Sequence, residues 1–140
     1  MKNKLLTVTL ILIATTLLVG VMALIVILKF DKDENTKPTI DEVLEASVDI
    51  PEITTNLRNN DFIKISFKMQ TENKDAKEEL QKRDFQVQNI IINELSELTP
   101  EKLEGKEGKL EFQEQIEEKV NSLMQEGKVE KVYITSYIIQ

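Results

Sequence analysis

The residues that could do chemistry in this chain of 140 are its carboxylates: there are 25 Asp and Glu against 18 Lys and Arg, with no His and no Cys. Nucleophile-and-base catalysis of the Ser–His or Cys–His kind therefore lacks a member. Disulfides, thiolate metal sites and a lipid-modified cysteine are excluded on the same count. Ser66, Ser96, Ser122 and Ser136 show no serine–lysine motif. Paired carboxylates can act as acid and base in glycoside hydrolysis, but spacing singles out no pair among the 25, and most fall on helix faces as solvated charge. Asp31, Asp33 and Glu34 resemble the opening of a calcium loop without its glycine or its closing glutamate. Gly105 and Gly108, with Lys106 and Lys109, follow no strand and do not make a phosphate loop. The sequence thus assigns no catalytic, cofactor-binding or metal-ligating residue, calls for no cofactor, and points away from an enzyme.

The element that must position everything else is Leu5 to Leu28, LLTVTLILIATTLLVGVMALIVIL, without a formal charge. A helix of that length rises roughly 36 Å against a hydrocarbon core of about 30 Å, so it can cross a membrane once with some tilt. The alternative is a cleavable signal peptide cut after Val21, Met22 and Ala23. The apolar run continues through Leu28, longer than a usual signal core, and favours a retained span. Lys2 and Lys4 stand before it and Lys29, Lys32 and Lys37 after it, so the charge rule is nearly balanced. A span at the N-terminus preceded by lysines favours a cytoplasmic N-terminus and an extracytoplasmic remainder. Thr16, Gly20 and Ala23 share one helix face at small-xxx-small spacing and form a candidate packing face for a second span.

After residue 30 the chain holds 15 basic and 25 acidic residues. Such a surface repels nucleic acid and anionic headgroups. The expected organisation is a short N-terminus 1–4, the span 5–28, a charged linker 29–38, a juxtamembrane helix 39–48 and one small domain 49–140. Thr39 and Glu42 have capping-box spacing ahead of Ile40, Val43 and Leu44, and Pro51 is expected to break that helix. A strand over Glu52 to Arg58 turns at Asn59 and Asn60 into Asp61 to Gln70, where Ile63, Ile65, Phe67 and Met69 alternate with polar residues. Ala76, Leu80, Val87, Ile91, Leu95 and Leu98 predict one amphipathic helix over 73–98. The run Ile90, Ile91, Ile92 is wider than one stripe, which makes Ile90 and Ile92 candidate contacts with another subunit. Thr99 and Pro100 open a short helix and Lys109 to Gln125 a longer one, closed by Gly127. Val129 to Ile139 is apolar on both faces and is expected inside the sheet. The fold class is α+β.

RDFQVQNIIINEL at 83–95 and GKVEKVYITSYIIQ at 127–140 carry a resemblance to the FliL family of flagellar basal-body-associated proteins, in its Gram-positive form. It extends over the N-terminal span, DEVLEASVDIPEITTNL at 41–57, the Gly105 and Gly108 pair, and Val120, Asn121 and Leu123. Ile134 and Tyr137 stand where the family often has phenylalanine. The resemblance implies an extracytoplasmic domain of stomatin-type (SPFH-like) fold, a homo-oligomeric ring, flagellar stator proteins and the basal body as partners, and a part in flagellar rotation, motility and chemotaxis at the cell membrane. The rival reading is a membrane-tethered sensor or adaptor of another envelope system.

Overall fold

The computed structural model describes residues 2–30 and 37–140, so most of the expected linker lies outside the described residues. The chain divides into two compact units, Met1–Lys37 and Pro38–Gln140. In the first, a single helix α1 (Lys2–Phe30) includes a segment, Asn3–Ile27, long and apolar enough to cross a membrane. Threonine adds no unmet polar group here. The Thr16 hydroxyl donates to the Leu12 and Ile13 carbonyls at 3.0 and 2.9 Å, and Thr7, Thr9 and Thr15 do likewise one turn back.

The second unit opens with helix α2 (Ile40–Glu45), held by the expected capping box: the Glu42 amide donates to the Thr39 hydroxyl and the Thr39 amide to the Glu42 carboxylate. Strand β1 (Ser47–Asn56) follows at once, earlier than expected, and Pro51 lies within it instead of ending the helix. The pairing register slips between Ile50 and Ile53, so Pro51 sits in a bulge where its missing N–H costs no ladder bond. Asn60, at φ 69°, makes the turn into β2 (Phe62–Thr71), and the Asn59 side chain accepts from the Asp61 amide.

The stretch 73–98 is two helices, α3 (Lys74–Lys82) and α4 (Asp84–Glu97), bent at Arg83. The seven-residue interval from Leu80 to Val87 fits one straight helix or two helices that both face the sheet, so periodicity could not detect the corner. Arg83 holds it, donating to Glu79 at 2.8 Å and to Gln86 at 3.0 Å. A 3-10 turn, Pro100–Leu103, leads into α5 (Gly105–Asn121), which starts four residues before the expected point because Gly105 and Gly108 belong to its first turn. Strand β3 (Val129–Ile139) closes the chain.

The three strands form one antiparallel sheet in the order β1-β2-β3. β3 is therefore an edge strand, contrary to the sequence expectation. Its inward residues Val129 and Val132 are buried, while Tyr133 and Ile138 pair with Lys68 and Lys64 on the opposite, open face. Apolar residues on both sides here mark an uncovered face, not a central position. α5 shields part of that edge. The Asn121 amide donates to the Val129 carbonyl and its oxygen accepts from the Val129 amide, while Gln113 donates to the Val132 carbonyl, so side chains stand in for a fourth strand. The core lies between layers: Ile63, Ile65, Phe67 and Met69 of β2 against Val87, Ile91 and Leu95 of α4 and Phe112, Ile116 and Val120 of α5.

Candidate interaction surfaces

Among the described residues no group of three or more acidic side chains is arranged to hold a metal ion. What the second unit does present is surface. Ile90 and Ile92 are not brought together. Residues two apart on a helix point about 200° apart, and Ile90 packs partly against the core whereas Ile92 stays 38% exposed. Ile92 instead shares its helix face with Phe85, seven residues earlier and 71% exposed. Phe85 went unmarked in the sequence because it is one residue off the buried stripe.

Phe85 also lines an open groove of about 640 Å³ between α3, the start of α4 and the loop after α5, with Lys82, Arg83, Gln125 and Glu126 among its walls. The groove is held by Glu79. Its largely buried carboxylate accepts from the amides of Gln125 (2.9 Å) and Glu126 (2.7 Å) and from Arg83. The two backbone donors, Gln125 first, hold the Glu79 carboxyl below the usual carboxylate range, with Arg83 adding to them against the cost of burial. Gly127 completes the join at φ +117°, close against Ala76 and Asn73, where a side chain would crowd both. Because the folded-state pKa is depressed, this tie is fully present above the ordinary glutamate value and is lost as pH falls through the folded one. Glu79→Gln should therefore lower the exchange protection of the Gln125 and Glu126 amides at pH 7, and acid should lower their protection relative to the intrinsic rate in the unsubstituted protein. Equal protection in both proteins at pH 7, where the Glu79 carboxylate is charged, would show that Glu79 does not hold the loop.

In α1, Thr16, Gly20 and Ala23 share a face, as their spacing requires. Gly20 opens a shallow notch lined also by Thr16, Leu17, Val21 and Leu24; Ala23 lies outside it. Thr16 already bonds within its own helix, so it does not demand a partner.

On the open side of the sheet lie Phe62, Lys64, Lys68, Tyr133 and Ile138. Lys68 reaches Asp49 at 2.5 Å, and the Tyr133 hydroxyl donates to Gln70 at 3.1 Å. Within the second unit Phe62, Tyr133 and Ile138 stay exposed on this face.

An apolar helix long enough to cross a membrane, followed by a two-layer α+β domain, defines the class: a small α+β domain behind a candidate membrane span. Comparison with known proteins gives the family. Residues 47–140, from the first residue of β1 to the last of the chain, match the family described as flagellar basal body-associated protein FliL. A flagellar protein FliL of Bacillus subtilis (strain 168) is 46% identical over 112 residues, covering 80% of this chain and 79% of that protein. One from Aquifex aeolicus (strain VF5) is 28% identical over 79 residues, 56% of this chain and 49% of that protein. The chain belongs to the FliL family.

Proposed function

We propose that this chain is a single-pass accessory protein of the flagellar basal body, its N-terminus cytoplasmic and its domain outside the cell membrane, assembled as a ring around stator units and supporting their torque. The observation that carries the reading is the family match, which takes in all three strands and the helices α3 to α5 that cover them. The apolar α1 supports anchoring. The three-stranded antiparallel sheet under a helical layer supports a stomatin-type relationship for the domain. Chemotaxis and swarming would depend on the protein through rotation and not through signalling.

Deletion in the source bacterium is the test. Filaments should still assemble, while swimming and swarming speed falls, and falls further as medium viscosity rises. Motility equal to the parent at every viscosity would defeat this reading and favour a sensor or adaptor of another envelope system.

A further inference from the structure

We propose that copies of the domain associate head to tail, the open sheet face of one receiving the outer ridge of α5 of the next; this rests on the ring reading above and names its surfaces. The sheet face carries an exposed apolar patch at one end, with an unpaired lysine beside it, while Lys68 further along is neutralised by Asp49. Phe62 is 55% and Ile138 47% exposed, and Lys64, paired across the strands with Ile138, has no carboxylate within ion-pair distance among the described residues. A soluble domain gains nothing by leaving such side chains in water on an otherwise complete sheet, so the face asks for a cover.

The cover that fits is carried on the opposite layer of the same domain. Glu107, Glu111, Glu114 and Glu118 follow one another at four, three and four residues, which stacks them along one exposed face of α5. Leu110, 42% exposed, lies beside them. Like charges at this spacing repel within the helix. Among the described residues no lysine or arginine pairs with them, although Lys119 on the same helix pairs with Glu94. The ridge thus sets one exposed leucine beside a row of unpaired glutamates, the counterpart of Phe62 and Ile138 beside the unpaired Lys64.

Symmetric pairing is disfavoured on both faces. Sheet against sheet opposes the unpaired Lys64 of one copy to that of the other, and ridge against ridge opposes glutamates. Ridge on sheet satisfies both, and because the two faces belong to opposite layers, each added copy leaves one of each kind free. Such a heterologous contact closes as a ring or continues as a filament. Anchoring decides between them: copies held in one orientation by a membrane are related by rotation about its normal, and confinement raises their effective concentration. Ionic strength should weaken the contact, since its rims are solvent-exposed charge.

Because the chain has no cysteine, engineered pairs report without background. Lys64→Cys is combined in turn with Glu107→Cys, Glu111→Cys and Glu114→Cys in the full-length chain, and native membranes are mildly oxidised. At least one pair should give a ladder of linked multimers beyond the dimer, while each single variant stays monomeric on a non-reducing gel. Strong dimers from Lys64→Cys alone would mean sheet-to-sheet pairing and overturn the proposal. No ladder from any pair, while an amine-reactive crosslinker still yields multimers, would overturn this pairing and leave the ring reading standing. Monomers with both reagents would sink the two together. Lys64→Glu should abolish the amine-crosslinked multimers, and adding Glu111→Lys should restore them; restoration is the outcome that loss of folding could not produce.

Discussion

Replacing Phe67 by alanine is expected to cost the domain about 3 to 5 kcal/mol, the range for truncating a fully buried phenylalanine. Phe67 is 1% exposed and stands on the central strand, its ring 6.2 Å from that of Phe112 at a tilt of 53°. Truncation removes one of the contacts between the sheet and α5 and leaves a void. The flanking β2 residues Ile65 and Met69 are themselves fully buried and cannot swing in to fill it. A domain of this size has only about 5 to 15 kcal/mol in all. The neighbouring Lys68→Ala is the control. It loses an ion pair to Asp49 whose partner is mostly exposed, so the loss should stay below about 1 kcal/mol. Urea unfolding of Pro38–Gln140, the unit that contains every buried core residue, compares the two. Comparable losses would mean that the layers are misassigned.

Gly108→Ala is the second large effect, and its sign runs against helix propensity. Within a helix the change should favour folding by about 1 kcal/mol. A Cβ at Gly108, however, would lie 2.3 Å from the Lys102 carbonyl oxygen and 3.1 Å from its carbon. Both are backbone atoms of the 3-10 turn and cannot rotate aside. α5 or the turn must shift, and overpacking of this kind costs about 1 to 3 kcal/mol, occasionally more. Gly105→Ala separates the causes. Gly105 has nothing within 4 Å of its would-be Cβ, but its φ of +69° makes any side chain strained, at roughly 1 to 2 kcal/mol. Thermal unfolding should therefore show Gly108→Ala destabilised, where helix propensity alone would stabilise it. A stabilised Gly108→Ala protein would show that helix and turn do not meet as closely as this.

The amino-acid sequence alone determined what depends on neighbours along the chain. Apolar length marks α1, capping spacing starts α2 at Thr39, and strict alternation from Ile63 to Met69 identifies the core face of β2, because each signal is local and its geometry is set by one element's period. Absence of His and Cys narrows the chemistry in the same local way. Tertiary structure decided whatever depends on which element lies beside which. Pro51 inside a strand, the corner at Arg83 and the glycine at position 108 follow from contacts between segments far apart in the chain or around a bend that keeps the hydrophobic phase. The edge position of β3 is not legible in one dimension because a residue's type records that it is apolar, not whether anything covers it; Tyr133 and Ile138 look the same under a helix or in the open. For the same reason the uncovered sheet face could not be read from one dimension: β1, β2 and β3 contribute to it from three separate stretches, and only their pairing brings Lys64 beside Ile138.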